Sequence, residues 1–544
     1  MKIKIFSQNN TSEIIAFFQR AYKQNGRKLN LSSKDKDLLH IQQEYMKEGN
    51  FWVCMSHNNR VIGAIALRKL DDCFELRRFF VLKGVQNKGI GKSLLNTALN
   101  YAIDHQIQTI KAATMIDGVI IRKMLLKYGF TYVKRYNNSS ADLFFSLSLT
   151  PEYAYNHKLH QLKNKFDTSL ILNPTENIPH TFSETRFMEG LYISERFKDV
   201  NDKVIFAGRN DIIHFFEFIK GVWRDKLKAE DVDLKTLSGL NAHLVLFLCI
   251  IQKGDSIVLL SEESGGHFAT QKILESIGAN VFLLVTDIKN KCIDVEKSRA
   301  VIERVCPKFI FIDRSEGLIY EDFSWLDEYK SPYKIFDASQ YLTQIIVDQY
   351  ESPFNWGFDM IVSTLHKNYP GPQKGILAVN DATHDIWNRY LMNAKTYISN
   401  THPLSIANSL LPVLNIDSFN FYSKNCVDCA FELDKKLQEM GLPVIIRERN
   451  KVPTLHIWLR FSERKDGYTY FLKLEQLNIL TNYRLLPYEI GYGLRIGVNA
   501  AVRQGLRLKH INSLAQIMAY AYHNEIDTHI TSKAKKFIRN IIAK

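Results

Sequence analysis

The amino-acid sequence predicts an α/β protein built from two parts, on the basis of three patterns. Strand-like and helix-like runs alternate over residues 1–150. After a break near Thr150-Pro151, short apolar strands alternate with helical segments, which is typical of a mostly parallel sheet covered by helices. From about Ser423 the order changes to helix, strand, helix, strand. We therefore predict three domains, at residues 1–150, 151–422 and 423–544.

The strands of both parts are short and are bounded by turn residues. Those predicted in the first part lie at 51–55, 61–67, 74–82, 109–113 and 141–147, with an amphipathic helix at 93–103. Those predicted in the second part lie at 256–260, 281–285, 308–312 and 333–336, with a buried apolar helix through 244–251. Open α/β sheets bind their ligands at the carboxyl ends of the strands, so motifs at those ends matter most.

Composition restricts the class of protein. A hydrophobic content of 46% and a charged content of 24% over 544 residues are those of a globular protein with large cores. The longest apolar stretch, 244–251, is too short for a membrane span, and the first residues lack the pattern of a signal peptide. Seven scattered cysteines form no disulfide framework. We expect a cytoplasmic protein with no membrane partner.

The formal net charge of +14 raises the question of a nucleic-acid partner. Basic residues cluster at 533–539, but Asp and Glu are interspersed elsewhere and no basic-aromatic motif stands out. A positive surface also attracts anionic cofactors. We expect no nucleic-acid partner. We also assign no metal, because Cys426 and Cys429 lack a second pair or histidines at zinc spacing.

A glycine-rich turn follows the strand that ends at Val81 and opens the next helix. Its characteristic residues are Gln86, Lys88, Gly89, Gly91 and Lys92. Glycines let the backbone approach an anion closely, and the free amides and the dipole of the helix then face the negative charge. The turn predicts a pyrophosphate site, although an ordinary strand–helix connection has a similar pattern.

The segment 81–91 resembles the acetyl-CoA loop of the GNAT acyltransferases, and Tyr-Gly-Phe at 128–130 is similar to a later turn of that family. The resemblance covers roughly residues 1–150. It implies a GNAT fold, which is a mixed, twisted sheet with helices that opens around the pantetheine arm. It also implies acetyl-CoA or another acyl-CoA as co-substrate.

Acid–base groups of this first part are less clear from the sequence. Many family members carry a tyrosine acid four residues before the glycine of the later turn, where this chain has Leu125. Glu75, on the strand leading to the loop, is placed to accept a proton from an amine, directly or through water. A solvent-facing strand carboxylate is an equally good interpretation of Glu75. Tyr128 and Tyr132 are further candidates for the acid.

Residues at strand ends of the second part match the needs of a pyridoxal-phosphate (PLP) enzyme. Lys367 is placed to form a Schiff base, and Asp337 to keep the pyridine nitrogen protonated. Ser238 and Gly239 open a helix and offer a seat for a phosphate. His267 is placed to stack on the cofactor ring. Each residue taken singly has an ordinary structural explanation, but their joint order favours the cofactor.

The motif T-L-H-K-x3-G-P-x2-G at 364–375 resembles the signature of serine hydroxymethyltransferase, and L-R-I-G at 494–497 is similar to a late segment of that family. The resemblance spans about residues 165–544. It implies a fold-type-I PLP enzyme with a mostly parallel seven-stranded sheet and a small C-terminal α/β domain. It further implies that Arg495 binds the substrate carboxylate and that the protein is a homodimer with residues of both subunits in each site.

Further site residues follow from the same resemblance. The cofactor contacts that we predict are Ser238, Gly239, His267, Ser315, Asp337, Thr364, His366 and Lys367. Glu195 is the predicted acid/base carboxylate, because Tyr192-Ile-Ser-Glu195 approximates the family's Tyr-x-Glu segment.

Several positions depart from the family pattern. Leu240 replaces the second serine of the phosphate loop. After Asp337 and an alanine, this chain has Ser339 and Gln340, whereas the family has a histidine directly after Asp-Ala. Leu365 replaces a threonine and Gln373 an arginine of the lysine motif. These changes leave PLP binding in place but make a role for tetrahydrofolate doubtful.

The sequence therefore predicts a bifunctional enzyme. Its PLP part would carry out aldol or retro-aldol chemistry on a β-hydroxy-α-amino acid, coupled to N-acylation from acetyl-CoA. PLP-dependent transamination, decarboxylation or acyl-CoA condensation remain open. A basic binding or regulatory protein with degenerate enzyme folds also remains open, which the changes at Leu125, Leu240 and Gln340 suggest. The presence of Lys367 and Arg495 argues for an enzyme.

Overall fold

The chain divides into two compact units, Met1–Lys165 and Phe166–Lys544. The structure is a computed structural model that describes residues 2–7, 11–56, 58–137, 139–179, 183–190, 209–398, 401–445 and 455–542. Among the helices of these ranges, none is both long and apolar enough to cross a membrane.

The first unit is one seven-stranded mixed sheet with helices. Its strands are β1 Lys2–Ile5, β2 Asn50–Met55, β3 Val61–Lys69, β4 Phe74–Val81, β5 Thr109–Thr114, β6 Thr131–Tyr132 and β7 Leu143–Ser148. Its helices are α1 Thr11–Gln24, α2 Ile41–Tyr45, α3 Ile90–Asp104, α4 Val119–Lys127 and α5 Pro151–Asp167, the last of which runs into the second unit. The strand order is β1-β2-β3-β4-β5-β7-β6, and only β4 and β5 pair in parallel.

Strand β4 separates from β5 part-way along its length. The two strands pair only between Phe74–Leu76 and Ile110–Ala112, whereas β4 continues to Val81. Beyond the paired segment, β4 contains a bulge at Arg78, whose φ is 52°. A bulge bends its strand, so the end of β4 diverges from the sheet and leads into the glycine-rich turn. The buried guanidinium of Arg78 is held by Asp35 and Asp37.

The second unit contains a longer alternation of strands and helices. Its strands are β8 Leu170–Ile171, β9 Asp231–Asp233, β10 Ser256–Leu259, β11 Asn280–Leu283, β12 Thr286–Asp287, β13 Cys292–Ile293, β14 Phe309–Asp313, β15 Tyr333–Asp337, β16 Met360–Thr364, β17 Gly375–Val379, β18 His456–Arg460, β19 Ile479–Leu480, β20 Asn482–Leu486 and β21 Gly491–Gly497. Its helices are α6 Arg209–Leu227, α7 Gly239–Ile250, α8 Thr270–Ile277, α9 Val295–Val305, α10 Leu342–Ile346, α11 Asp385–Tyr397, α12 Pro403–Ser409, α13 Leu411–Leu414, α14 Ile416–Glu439, α15 Arg464–Gln476, α16 Asn499–Gln504, α17 Ile511–His523 and α18 Thr528–Ile542.

The central sheet of this unit has seven strands in the order β11-β10-β14-β15-β16-β17-β9. The five strands from β11 to β16 run parallel, and β17 and β9 are antiparallel to their neighbours. Strands such as Phe309–Asp313 and Met360–Thr364 are buried throughout, which explains their continuous apolar pattern. The mostly parallel sheet of the prediction is confirmed.

A smaller sheet lies in the C-terminal part of the unit. Strand β21 is central and pairs antiparallel with β18 and β20. Strand β19 pairs with β8 from the start of the unit. The predicted domain division at residues 422 and 423 falls inside α14 and stays a prediction.

Candidate active site

Polar side chains end three neighbouring strands of the central sheet. Asp313 is the last residue of β14, Asp337 of β15 and Thr364 of β16. Because these strands are parallel neighbours, their carboxyl ends lie along one edge of the sheet. Helix α7 begins at the same edge, since a β-carbon on Gly239 would lie 3.0 Å from Cβ of Thr364. Ser238 is the N-cap of this helix. The structure thus brings four separate sequence segments together.

The carboxylate of Asp337 is buried and is held by two hydrogen bonds. Its Oδ2 accepts from Nε2 of His243 at 3.0 Å, and its Oδ1 accepts from the backbone N–H of Ser339 at 2.8 Å. Burial raises the pKa of Asp337, but the hydrogen bond and charge of His243, with the charge of Lys367, lower it below its usual range. Burial also lowers the pKa of His243, but Asp337 raises it above 6.5. The two groups form an ion pair that keeps Asp337 anionic.

Asp313 organises the loop that carries His267. Its Oδ2 accepts from the backbone N–H of His267 at 3.0 Å and from the hydroxyl of Thr270 at 2.9 Å. Its Oδ1 accepts from Oγ of Ser315 at 2.9 Å. The ring of His267 meets that of His243 edge-on, with centroids 5.6 Å apart. Burial lowers the pKa of His267, against the opposing charge of Asp313. A neutral imidazole offers a flat face on which an aromatic ring can stack.

Three of these side chains form a possible metal-ligand group. In the described part of the chain, ligand atoms of His243, His267 and Asp313 lie within 4.8 Å of one another. However, His243 is engaged by Asp337, and Asp313 holds the His267 loop. These hydrogen bonds account for the grouping at the strand edge, and the absence of a metal stays a prediction.

The loop of Lys367 is fixed by hydrogen bonds on both sides of the lysine. The backbone oxygen of Lys367 accepts from Nδ2 of Asn177 at 2.8 Å. Oγ1 of Thr364 lies 2.7 Å from Nδ1 of His366. Burial and the charge of Lys367 lower the pKa of His366 to about 4. The half-buried amine of Lys367 also contributes to the lowered pKa of Asp337, which places both groups in one electrostatic environment.

Arg495 lies on β21 and already holds a carboxylate of its own chain. Its Nη1 donates to Oε1 of Glu316, the residue directly after Ser315. Arg484, on β20, donates to the same oxygen. Burial lowers the pKa of Arg495, and the charge of Glu316 opposes that shift. The guanidinium predicted to bind the substrate carboxylate is therefore buried near the cofactor residues, but it is paired.

The residues at this edge fit pyridoxal phosphate by the chemistry of their donors. The ionised Asp337 suits a protonated pyridine nitrogen, and the neutral ring of His267 suits a stacked aromatic ring. The start of α7 offers backbone amides to a phosphate, and a side chain at Gly239 would press on Thr364. The amine of Lys367 completes the set.

The glycine-rich turn of the first unit opens α3 as predicted. Gly89 is the N-cap with a φ of 79°, a conformation that favours glycine, and no side chain caps the helix. Gly91 lies in the first turn of α3, and Lys88 and Lys92 are exposed beside it. The first amides of this 15-residue helix and two lysines are thus available to an anion.

Gln86 fastens this turn to the strand before it. Its Nε2 donates to the backbone oxygen of Val81, the last residue of β4, at 3.1 Å. The backbone N–H of Lys83 donates to Oε1 of Gln24, the last residue of α1, at 3.0 Å. The turn is therefore held in place on two sides.

Glu75 on β4 is buried rather than solvent-facing. Its Oε1 accepts from the hydroxyl of Tyr136 at 3.1 Å and from Nδ2 of Asn137 at 2.7 Å. Its Oε2 accepts from Nη2 of Arg68 at 3.1 Å. The interpretation as an exposed strand carboxylate is wrong, because Glu75 is only 3% exposed. Oε1 thus accepts two hydrogen bonds and Oε2 one, and the role of Glu75 as a base stays a prediction.

The tyrosine candidates of the first unit differ in their environment. Leu125, at the position of the family's acid, is buried in the core. Tyr128 donates to Oδ1 of Asn96 at 2.8 Å, and burial raises its pKa. Tyr132 is 54% exposed. Both tyrosines stay candidates for the general acid.

Comparison with known families agrees with both halves of this arrangement. A family model described as serine hydroxymethyltransferase matches residues 210–518, which is more than half of the chain. The chain belongs to the serine hydroxymethyltransferase family. A model of the acetyltransferase (GNAT) family matches residues 16–130. Both resemblances are confirmed, as are the α/β fold class and the prediction of an enzyme, and the family supports pyridoxal phosphate as its cofactor.

Curated relatives and a solved structure match the chain at low identity. Serine hydroxymethyltransferase of Pyrobaculum calidifontis is 25% identical over 329 residues, which are 58% of this chain and 76% of that protein. Fluorothreonine transaldolase of Streptantibioticus cattleyicolor is 26% identical over 306 residues, 55% of this chain and 47% of that protein. The structure of L-threonine transaldolase from Pseudomonas fluorescens in its internal aldimine state superimposes with a TM-score of 0.64 at 20% identity. It covers 71% of this chain and 90% of that one, which shows a shared fold.

Some residues of the site were not found from the sequence, and one predicted residue cannot be placed. Glu195 lies outside the described residues. His243 was missed, although it is a histidine inside an otherwise apolar helix, five residues after Ser238. Asp313 and Glu316 gave no signal, because each belongs to the site through contacts with distant segments.

Proposed function

We propose that the chain is a PLP-dependent enzyme that breaks or makes the Cα–Cβ bond of a β-hydroxy-α-amino acid. The observation that carries the proposal is the buried Asp337–His243 ion pair next to Lys367, at the carboxyl ends of the central strands. A carboxylate kept anionic in this position is what an electron-withdrawing pyridinium ring requires. The fold shared with a transaldolase supports the aldol class of reaction.

The protein residues in this proposal bind, orient and hold protons. Bound pyridoxal phosphate supplies an electron sink for negative charge at the substrate Cα. Asp337, kept ionised by His243, holds a proton at the ring nitrogen. His267 would contact the cofactor ring, and the amides at the start of α7 would hold the phosphate. Ser315, Thr364 and His366 are proposed to line the same pocket, as the family resemblance implies.

Lys367 and Arg495 act on the substrate side of the pocket. Lys367 would hold the cofactor through its side-chain amine. Arg495 would bind the α-carboxylate and so orient the bonds at the substrate Cα. Cleavage of the Cα–Cβ bond of L-threonine would give glycine and acetaldehyde. The position of Glu195 in the chain makes it the proposed proton acceptor from the β-hydroxyl, as the resemblance implies.

The experiment that tests this function combines absorbance with product analysis. Full-length protein loaded with PLP is mixed with L-threonine, L-serine and glycine, and the visible spectrum and released aldehyde are measured. We expect a spectral change with all three and acetaldehyde from L-threonine without tetrahydrofolate. Release of CO2, a keto acid or free CoA instead would replace the proposal by decarboxylation, transamination or acyl-CoA condensation. A spectrum unaffected by PLP and amino acids would contradict it altogether.

We propose that the first unit binds acetyl-CoA and acylates an amine. The free amides of α3 beside Lys88 and Lys92 support a pyrophosphate site, and the divergence of β4 from β5 leaves an unpaired strand edge for the pantetheine arm. Coupling of this step to the amino-acid product of the second unit is part of the same proposal.

Replacing Lys88 and Lys92 together with alanine is expected to weaken acetyl-CoA binding about tenfold, since two charges near the phosphates are lost. Isothermal titration of acetyl-CoA measures the change. The matched control replaces Lys123 and Lys127, two exposed lysines of α4, and should leave the affinity within about twofold of the parent. Equal losses in both variants would mean that the net charge, rather than this turn, attracts the ligand.

We propose that the protein is a homodimer whose interface includes an apolar patch at the phosphate seat. We call this the Leu240 patch, and its members are exposed side chains around the start of α7: Leu237 48%, Leu240 43%, Leu244 40% and Phe268 55%. Clustered apolar exposure of this kind marks interaction surfaces. A second copy is the occupant that the family resemblance implies.

Replacing Leu240 with aspartate is expected to convert the dimer into a monomer, because a charge would be buried without a partner. Light scattering coupled to size-exclusion chromatography gives the mass. Leu39→Asp is the matched control, since Leu39 is 47% exposed and lies in the first unit, outside the patch. A parent protein that elutes as a monomer would contradict the proposal directly.

A further inference from the structure

A carboxylate of the chain itself occupies the arginine that we assign to the substrate. The side chains of Glu316 and Arg495 are each 4% exposed, and Nη1 of Arg495 donates to Oε1 of Glu316. The same oxygen accepts from Arg484, which is 30% exposed. Glu262 lies 3.7 Å from Arg484 and is 52% exposed, so solvent weakens its influence. Two guanidinium groups therefore share one buried carboxylate, and the half-exposed Glu262 offsets the remaining positive charge only in part.

Glu316 reaches this cluster from the cofactor side of the site. It follows Ser315, which donates to Asp313 at the strand edge. The backbone N–H of Glu316 donates to the backbone oxygen of Gly265 at 2.9 Å, and Gly265 belongs to the loop of His267. The carboxylate thus sits between the predicted cofactor residues and the sheet that carries Arg495.

Polar atoms around the pair lack partners. Trp458 on β18 and Asn482 on β20 are the cross-strand neighbours of Arg495, so the three side chains share one face of the small sheet. In the described part of the chain, the following buried atoms of the cluster have no hydrogen-bond partner: Trp458 Nε1, Arg495 Nε, Asn482 Oδ1 and Glu316 Oε2. Such atoms are rare in folded proteins, and they mark a place where a ligand would complete the hydrogen bonding.

The orphaned atoms match the groups of an amino acid. Two of them, on Trp458 and Arg495, are donors that a carboxylate can satisfy. The other two, on Asn482 and Glu316, are acceptors that an ammonium or hydroxyl group can satisfy. The remaining positive charge of the cluster is balanced by one bound anion.

We propose that Glu316 is an internal occupant of the carboxylate site, which holds Arg495 in the free enzyme and gives it up to the substrate α-carboxylate while staying paired with Arg484. This rests on the assignment of Arg495 in the proposed function. Glu316 acts as a positioning residue that sets substrate affinity. It keeps a buried guanidinium paired when no substrate is bound, and its competition lowers the affinity for every α-carboxylate.

The test compares a ligand with and without the carboxylate. Full-length PLP-loaded protein is titrated with glycine and with methylamine, which is glycine without its carboxylate, and Kd is taken from the spectral change. In Glu316→Gln the competing charge is absent, and we expect glycine to bind about tenfold more tightly while methylamine is unchanged. In Arg484→Gln, Glu316 keeps only Arg495, and we expect glycine to bind about tenfold more weakly.

Changes of glycine affinity in opposite directions in the two variants distinguish competition by Glu316 from a purely structural role. Glu321→Gln is the matched control, because Glu321 pairs with buried Arg314 through a hydrogen bond of 2.6 Å and does not contact Arg495. We expect the control to leave the glycine Kd unchanged. An unchanged or weaker glycine affinity in Glu316→Gln, or an equal change for methylamine, overturns the proposal. If Glu316→Gln does not fold, Arg484→Gln carries the test, and unchanged or tighter glycine binding there overturns it.

A second readout does not depend on the cofactor. Sodium acetate, with sodium chloride at equal ionic strength as control, should raise the melting temperature of the PLP-free Glu316→Gln protein more than that of the parent. If acetate stabilises Glu316→Gln more than the parent, and the parent shows no PLP absorbance, the proposal for Glu316 is supported and the proposed function is contradicted. If the PLP absorbance responds to glycine but Glu316→Gln changes neither the glycine Kd nor the effect of acetate, the proposed function is supported and the proposal for Glu316 is contradicted.

Discussion

Replacing Lys367 with alanine is expected to remove the visible absorbance of protein-bound PLP and to lower amino-acid turnover about 10³-fold or more, since the covalent attachment point is lost. The backbone around Lys367 is fixed by Asn177 and by the hydrogen bond between Thr364 and His366, so alanine should not disturb the fold. Absorbance spectra and turnover of L-threonine, measured at matched melting temperature, check the result.

A second buried lysine provides the matched control. Lys374 is fully buried, its Nζ donates to the backbone oxygen of Lys235 at 3.3 Å, and burial lowers its pKa to about 7. Its amine is therefore partly neutral at neutral pH, which makes it the natural competitor for the role. We expect Lys374→Met to keep the absorbance. Loss of the band in Lys374→Met and its retention in Lys367→Ala would transfer the assignment to Lys374.

Replacing Asp337 with asparagine is expected to lower turnover about 10²- to 10³-fold while PLP stays bound, because the charge that holds a proton at the ring nitrogen is removed. The lowered pKa of Asp337 means that the parent carboxylate is ionised throughout the neutral range. Single-turnover kinetics with L-threonine and the PLP content of the purified variant check this outcome. A variant with parent turnover would show that Asp337 only supports the fold.

The stability that the Asp337–His243 ion pair contributes depends on pH. The pKa of His243 is raised above 6.5, so its contribution to stability is fully present below pH 6.5 and is lost as the pH rises through the raised value. The pKa of Asp337 is lowered from 3.8, so its contribution is present above pH 3.8 and is lost as the pH falls through the lowered value. His243→Gln should therefore lower the melting temperature most between those limits and progressively less at alkaline pH. A constant difference from pH 5 to pH 10 would contradict this ion pair.

The fold and the centre of the candidate site could be predicted because their signals are local. Apolar strand runs placed Asp337 and Lys367 at strand ends, and the glycine and serine before an apolar helix indicated the start of α7. These features depend on residues adjacent in sequence. The fold of the first unit followed in the same way from the turn after Val81.

The remaining parts of the site depend on contacts between residues that lie far apart in the sequence. Glu316 is 179 residues from Arg495, and no sequence pattern connects them. The sequence is as compatible with a solvent-facing Glu75 as with a site residue, because its partners Tyr136 and Asn137 follow more than 60 residues later. His243 was not predicted for another reason. An apolar helix predicts that its side chains are buried, but it does not show which strand end a given side chain faces.

The order of strands in the central sheet has a consequence for how the second unit acquires its structure. Strand β9 comes first in the chain, yet its partner in the sheet is β17, the last strand of that sheet to be synthesised. Pairing at this edge closes a long loop, and non-local pairings of this kind slow folding. The first unit finds all its strand partners before α5 is made, so on the ribosome it is expected to fold early, whereas the catalytic sheet stays incomplete until β17 emerges. The apolar side chains of α7 would then be exposed during synthesis. We therefore expect the second unit to benefit more from chaperones than the first.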